Sequence, residues 1–165
     1  MLSTPERVYK EEQPYIMIRK IVNMNDIPAE LPPLVPKVKA WMESNGIEQD
    51  GPPFFHYLAM DKNNDIIAEA GFPVKAPVAG SGEFLGGRFK AGHYAHLTYT
   101  GDYKYMMTAH KALEAFTKEN GFEEEMGLGT SEEPHGSRAE FYPTDETEVP
   151  DPDKWVTEIF VLLKG

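Results

Sequence analysis

The chain has 165 residues, a formal net charge of −11 and no cysteine. Its length suits one domain that buries a sizeable core. The missing cysteine excludes disulfides, thiol nucleophiles and zinc-thiolate sites, and the negative charge disfavours direct binding to nucleic-acid phosphates. Because the first residues are polar and no apolar run is long enough for a membrane span, we expect a cytoplasmic protein that does not contact membranes.

Hydrophobic periodicity predicts how the chain is divided. Residues 1–14 are expected to form a flexible arm ahead of a single domain, whose modules 15–74 and 88–165 are joined by a linker over 75–87. The first module is predicted to contain a strand, a helix and two strands: 15–22, 34–45, 54–60 and 66–74. The second is predicted to repeat this order: 88–99, 103–120, 138–142 and 155–163.

The two predicted modules share sequence around the ends of their helices. Residues 40–46 match residues 115–121 at an offset of 75 positions (121 − 46), and both copies end in Asn-Gly. A glycine after the last helical residue supplies the left-handed turn that ends many helices. The repeated order of elements predicts an α+β fold in which duplicated strand–helix–strand–strand modules are related by a pseudo-twofold axis around a central cleft. A chance likeness between two amphipathic helices is the alternative interpretation.

Side-chain alternation along the predicted strands indicates which residues line that cleft. Ile159 and Val161 point toward a helix, so Glu158 points away from it. This glutamate is expected to be buried, either as the counter-charge of a cationic ligand or as a carboxyl with a raised pKa. An ion pair with Arg19 or Arg138 is the structural alternative. The predicted ligand-binding residues line the same cleft: Phe55, Tyr57, Glu69, Tyr94, His96, Tyr142, Glu158 and Phe160.

The histidines do not predict a metal site. His93 and His96 are three positions apart on a predicted strand, so they point to opposite faces. His110 lies on the apolar side of a predicted helix, which is typical of a core histidine. The sequence does not indicate a Ser-His-Asp arrangement beyond the presence of these residue types. We therefore expect neither a metal ion nor another cofactor.

A set of short segments occurs in one order along the chain: 31–33, 51–57, 69–74, 91–95, 101–103, 140–145 and 155–159. In this order the segments resemble the GyrI-like small-molecule-binding domains, which also form the effector-binding half of some multidrug-responsive bacterial transcription activators. The resemblance runs from about residue 15 to the C-terminus. No single segment is specific for the family, whereas the ordered set is.

The resemblance implies a cleft with aromatic walls and a buried glutamate, which in this family binds hydrophobic and often cationic compounds. It implies that Glu158 is that glutamate and that Tyr142 is the neighbouring tyrosine. Tyr99 departs from the pattern, since many relatives have a histidine at this position. Because only about 14 residues precede the first predicted strand, we expect a stand-alone drug sink or sensor without a DNA-binding domain.

The resemblance also implies two alternative functions. Some stand-alone members are hydrolases that open cyclopropane rings in DNA-alkylating natural products. The catalytic residues here would be Glu158, which donates a proton or orients water, and Tyr142, which hydrogen-bonds the oxygen on which charge develops. Other members are reported to oppose DNA gyrase, so an interaction protein with a protein partner is the second alternative.

Overall fold

The computed structural model describes residues 1–125 and 137–165. Eight antiparallel strands form one sheet within these residues: β1 (Glu6–Lys10), β2 (Gln13–Asn23), β3 (Phe54–Met60), β4 (Asp65–Pro73), β5 (Phe84–Phe89), β6 (Gly92–Thr100), β7 (Arg138–Phe141) and β8 (Val156–Leu162). The α-helices are α1 (Ile27–Glu30), α2 (Leu34–Ser44) and α3 (Met106–Glu119). Short 3-10 turns occupy Met24–Asp26, Tyr103–Tyr105 and Pro152–Lys154.

The order of strands across the sheet is β1-β6-β8-β7-β3-β4-β2-β5. The helix α2 follows β2 and packs on β2 and β4, whereas α3 follows β6 and packs on β6 and β8. Strands β3 and β7 pair with each other in the middle of the sheet, between the two helix-covered parts. The fold is therefore a mixed α+β arrangement, as the sequence predicted, while duplication and pseudo-twofold symmetry stay predictions.

The two long helices form where apolar residues recur at helical spacing. In α2, Leu34, Val38 and Met42 are buried against the sheet. Both long helices are followed by an Asn-Gly pair, and Gly46 and Gly121 have φ values of 65° and 68°. This left-handed conformation is easiest for glycine, so the predicted helix ends are confirmed. None of the helices in the described part of the chain is long and apolar enough to cross a membrane.

The sheet is curled, so its two faces differ. Phe89 of β5 and Phe141 of β7 are four strands apart, which is about 19 Å in a flat sheet. Their ring centroids nevertheless lie 5.3 Å apart, and they share an apolar cluster with Tyr15 and Phe54. We call the concave face that carries these rings the inner face. The convex face is called the helix face, because α2 and α3 pack on it.

Two segments that were predicted to be irregular contain strands. The predicted flexible arm, 1–14, includes β1, which pairs with β6. The predicted linker, 75–87, includes the start of β5, which pairs with β2. Both strands form the edges of the sheet, where exposed polar side chains are common. Their hydrophobic alternation is correspondingly weak, and periodicity did not detect them.

Candidate functional site

A buried carboxylate, Glu140 of β7, lies on the helix face in the middle of the sheet. Its Oε1 accepts hydrogen bonds from the hydroxyl of Tyr57 at 2.9 Å and from that of Tyr142 at 2.5 Å. Its Oε2 lies 2.6 Å from Nε2 of His110 in α3. Tyr57 belongs to the core beneath α2. These four residues, which we call the Glu140 cluster, therefore connect the two helix-covered parts of the sheet.

The Glu140 cluster carries an ionised carboxylate. Burial alone would raise the pKa of Glu140. The hydrogen bond and electrostatic attraction of His110, together with hydrogen bonds from Tyr142 and Tyr57, outweigh burial and hold this pKa below its ordinary value. Burial and the nearby carboxylate raise the pKa of both tyrosines well above its usual value, so both hydroxyls stay protonated. Within the described residues, the hydrogen bonds to Glu140 come from tyrosine and histidine and none comes from Arg or Lys.

Aromatic rings extend from the Glu140 cluster across the helix face. The ring of Tyr142 packs edge-on against Phe55, with 5.0 Å between centroids, and against Tyr103, with 5.6 Å. Tyr103 in turn packs on Trp155 at 4.7 Å. A cavity beside His110 measures only about 10 Å³. An aromatic ligand would find ring surfaces here, but side chains would have to move to admit it.

A second buried carboxylate, Glu69 of β4, lies on the inner face. Tyr15 donates to its Oε1, and Nδ1 of His56 lies 3.1 Å from the same oxygen. Arg19 donates to Oε2 from Nε at 3.0 Å and from Nη2 at 2.7 Å. Burial would raise the pKa of Glu69, but the hydrogen bonds from His56, Tyr15 and Arg19 outweigh it and lower this pKa. In this Glu69 cluster a permanent cation balances the carboxylate.

The inner face also places a lysine ammonium near Glu158. Nζ of Lys10 lies 3.8 Å from the ring centroid of Phe160, 5.0 Å from that of Phe141 and 6.0 Å from that of Tyr94. These distances are in the range of cation–π attraction, and the Glu158 carboxylate attracts the same ammonium. A cation of the chain itself therefore lies beside Glu158, where the sequence predicted the cation of a ligand.

The prediction that Glu158 shares a face with Tyr57 and Tyr142 is wrong. Glu158 pairs with Phe141 across β8 and β7, and residues directly opposite each other share a face. Glu158 therefore lies on the inner face, whereas Tyr142, the next residue after Phe141, points to the helix face. Alternation relates residues only within one strand, and the pairing between strands was not available from the sequence.

The environment of Glu158 also differs from the prediction. Its side chain is 37% exposed rather than buried. A hydrogen bond from His96, with Nε2 3.3 Å from Oε1, lowers the pKa of Glu158 more than partial burial raises it, contrary to the predicted raised pKa. The arginine partners suggested for a structural ion pair are wrong as well, because Arg19 binds Glu69 and Arg138 binds Glu124, and the basic side chain next to Glu158 is His96.

The predicted ligand-binding residues are thus divided between the two faces. The helix face carries three of them: Phe55, Tyr57 and Tyr142. The inner face carries the other five: Glu69, Tyr94, His96, Glu158 and Phe160. The part that each residue has in ligand binding stays a prediction.

The sequence analysis did not select Glu140 or His110 as site residues. One signal was available for Glu140, because one residue separates it from Tyr142 and alternation then places both on one face. His110 was interpreted as a core histidine, but it binds a carboxylate 30 positions away in the chain, which no local pattern indicates. Within residues 1–125 and 137–165, no group of three or more His, Asp or Glu side chains could hold a metal ion.

Comparison with known families gives one match over nearly the whole chain. A family model described as GyrI-like small molecule binding domain matches residues 3–164. No curated protein matches the chain.

Solved structures share this fold at low sequence identity. The C-terminal domain of EcmrR is 19% identical, with a TM-score of 0.74, over 98% of this chain and 97% of that domain. The chain spans 57% of the EcmrR chain in its complex with DNA. SAV2435 bound to tetraphenylphosphonium is 8% identical, with a TM-score of 0.66, over 99% of this chain and 95% of that one. A hydrolase from Listeria innocua is 14% identical, with a TM-score of 0.62, over 97% and 91% of the two chains.

Proposed function

Because the chain belongs to the GyrI-like small-molecule-binding domain family, we propose that it binds hydrophobic cations on the helix face, with Glu140 as the counter-charge. The carrying observation is the composition of the Glu140 cluster: an ionised, buried carboxylate is bound by two tyrosines and a histidine. Neither tyrosine nor histidine carries the permanent charge of arginine or lysine. A ligand that brings such a charge adds a Coulomb attraction to Glu140 that these three partners do not supply.

The aromatic rings around Glu140 support the same class of ligand. Phe55, Tyr142 and Tyr103 present ring faces and edges that can stack on an aromatic ligand and attract a cation. The net charge of −11 raises the local concentration of cations. SAV2435, which has a similar fold, was solved with tetraphenylphosphonium, a hydrophobic cation.

We further propose that the two helix-covered parts of the sheet are the duplicated modules, acting together as a stand-alone, cytoplasmic drug sink or sensor. The first contains β2, α2, β3 and β4, and the second contains β6, α3, β7 and β8. From the middle of the sheet outward, the strand order β3-β4-β2 corresponds to β7-β8-β6. The Glu140 cluster lies where the two parts meet.

The test compares a cation with a neutral compound of similar shape. Tetraphenylphosphonium is expected to raise the thermal midpoint of the wild type. By calorimetry, Glu140→Gln is expected to lower its affinity at least about tenfold, or about 1.4 kcal/mol. The affinity for neutral triphenylphosphine oxide should change less.

Glu43→Gln, at an exposed position of α2, is the matched control and should bind like the wild type. Failure of the wild type to bind tetraphenylphosphonium would contradict the proposal. Equal affinities of wild type and Glu140→Gln for the cation would also contradict it, because the counter-charge would then lie elsewhere.

A second candidate function is hydrolysis of strained rings at the same place, because acid–base groups surround Glu140. Water would add to a cyclopropane carbon as the ring bond breaks, Glu140 would accept the proton of the water, and Tyr142 would donate to the conjugated carbonyl oxygen. A protein of similar fold from Listeria innocua is described as a hydrolase.

Turnover of a cyclopropane-bearing alkylator by four proteins tests this candidate: the wild type, Glu140→Gln, Tyr142→Phe and Glu158→Gln. Loss of turnover in the first two variants alone would support it. Loss only in Glu158→Gln would move the chemistry to the inner face, and an inactive wild type would rule hydrolysis out.

A further inference from the structure

The inner face carries a constellation that the proposed function does not use. Oγ of Ser137 lies 2.8 Å from Nε2 of His56, and Nδ1 of the same ring lies 3.1 Å from Oε1 of Glu69. The three residues are 7%, 3% and 0% exposed, respectively. We propose that Ser137 is a nucleophile, His56 its general base and Glu69 a positioning residue, in a site that hydrolyses hydrophobic carboxylic esters.

The hydrogen bonds assign a role to each nitrogen of His56. Glu69 is an acceptor, so Nδ1 of His56 is the donor toward Oε1. The neutral ring then has its lone pair on Nε2, where it accepts the proton of the Ser137 hydroxyl. Tyr15 and Arg19 hold the Glu69 carboxylate in place. Serine hydrolases on unrelated folds use the same arrangement, in which one group orients the base and the base activates the nucleophile.

A tyrosine hydroxyl lies beside the proposed nucleophile. Burial raises the pKa of Tyr94 to about 12, and the nearby Ser137 side chain opposes this rise. The hydroxyl is therefore protonated at neutral pH, and it donates to the carbonyl oxygen of Lys90 at 2.6 Å. Redirected to the substrate, this O–H can stabilise the oxyanion that forms when Ser137 attacks a carbonyl.

The surroundings indicate the class of ester. Ring centroids of Phe89 and Phe54 lie 4.6 Å and 6.4 Å from that of His56, which favours an apolar acyl group. A cavity of about 340 Å³, within the size range of small-molecule sites, is lined partly by Leu162. The N–H of Leu162 donates to the carbonyl oxygen of Ser137 at 2.9 Å, which places one residue of the cavity lining next to the Ser137 backbone, whereas the side chains of Ser137, His56 and Glu69 do not line the cavity. The net charge of −11 disfavours anionic substrates.

The reaction balances as ester hydrolysis. Oγ of Ser137 bonds to the carbonyl carbon while its proton moves to Nε2 of His56. The bond to the alcohol oxygen then breaks, and His56 returns the proton to that oxygen. Water attacks the acyl-serine and gives a proton to His56, after which the Oγ–carbon bond breaks and Oγ regains its proton. The net change converts an ester and water into a carboxylic acid and an alcohol.

A fluorophosphonate probe tests the nucleophile directly, because it bonds to activated serines with loss of fluoride. The wild type is expected to gain one adduct at Ser137, located by peptide mass spectrometry, and to hydrolyse p-nitrophenyl hexanoate. Ser137→Ala should lose the adduct, and both Ser137→Ala and His56→Gln should lose at least about 100-fold in turnover. Ser44→Ala, exposed in α2, should match the wild type. Failure of the wild type to be labelled, or labelling that persists in Ser137→Ala, would overturn the proposal.

A second variant keeps the test valid if Ser137→Ala unfolds. The chain has no cysteine, so Ser137→Cys introduces a single thiol next to His56. A base within hydrogen-bonding distance favours the reactive thiolate. Alkylation by iodoacetamide at neutral pH is therefore expected to be at least about tenfold faster in Ser137→Cys than in the Ser137→Cys/His56→Gln double variant. Equal rates would overturn the role of His56 as the base.

Discussion

Glu69 and Glu140 are buried carboxylates on opposite faces of one sheet, and each is bound by a tyrosine and a histidine. They differ in the remaining donor, which is Arg19 for Glu69 and a second tyrosine, Tyr142, for Glu140. A guanidinium only donates and keeps its charge, whereas imidazole and hydroxyl groups can donate or accept. The Glu69 cluster is therefore fixed as an ion pair, while the Glu140 cluster can exchange partners with a ligand.

The same substitution in both clusters should give the largest difference. In Glu69→Gln an amide NH₂, which donates hydrogen bonds, replaces a carboxylate oxygen, which accepts them. Arg19 has only donors and cannot accept a hydrogen bond from this amide. We therefore expect a loss of about 2–4 kcal/mol in the free energy of unfolding. In Glu140→Gln the amide can donate to His110 after a change of tautomer, so the expected loss is below about 1 kcal/mol. Urea denaturation measures both losses, and equal values would contradict the distinction.

Removing the guanidinium of Arg19 should leave Glu69, like Glu140, without a permanent cation among its hydrogen-bond donors. Arg19→Met keeps the apolar stem but leaves a buried carboxylate without its cation. Because the Arg19 side chain is 46% exposed, water partly replaces the lost partner, and we expect a loss of about 1–2 kcal/mol by urea denaturation. Arg88→Met removes an exposed arginine paired with Glu12 and serves as the control. A loss no larger than in this control would show that the guanidinium does not stabilise Glu69.

Acid should weaken both clusters, because both carboxyl pKa values lie below the ordinary 4.5. A carboxyl with a lowered pKa in the folded state stabilises the fold above its unfolded pKa and loses this contribution as the pH falls through its folded pKa. The free energy of unfolding of the wild type should therefore fall below about pH 4.5, and Glu140→Gln should show a smaller fall. Urea titrations between about pH 3 and pH 7 measure this. If the free energies of unfolding of the wild type and Glu140→Gln fell in parallel with pH, Glu140 would not be ionised in the folded protein.

The smallest effect is expected where a cation of the chain already contacts aromatic rings. Lys10→Met removes the ammonium over Phe160 and keeps the apolar part of the side chain. The ammonium is already disfavoured in the wild type, because partial burial lowers the pKa of Lys10. We expect a loss below about 1 kcal/mol and an unchanged affinity for tetraphenylphosphonium. A clear gain in affinity would instead identify the inner face beside Glu158 as the cation site.

Much of the fold could be predicted from the sequence, because helices and central strands depend on residues close together in the chain. Apolar spacing located α2, both long helices ended at the predicted Asn-Gly pairs, and β3 has the predicted bounds, Phe54–Met60. The family was also predicted correctly, from the order of short segments rather than from any one of them. The edge strands β1 and β5 were missed because their exposed residues lack a strong alternation.

Only the tertiary structure decided which carboxylates are buried and with which partners. Tyr57 and Glu140 are 83 positions apart, and His56 and Ser137 are 81 positions apart. Pairing between β7 and β8 places Glu158 opposite Phe141 and therefore on the inner face. Local alternation fixes the faces within a strand, but register, curl and strand order are set by contacts across the whole sheet. The buried clusters depend on those contacts, which no window of the sequence contains.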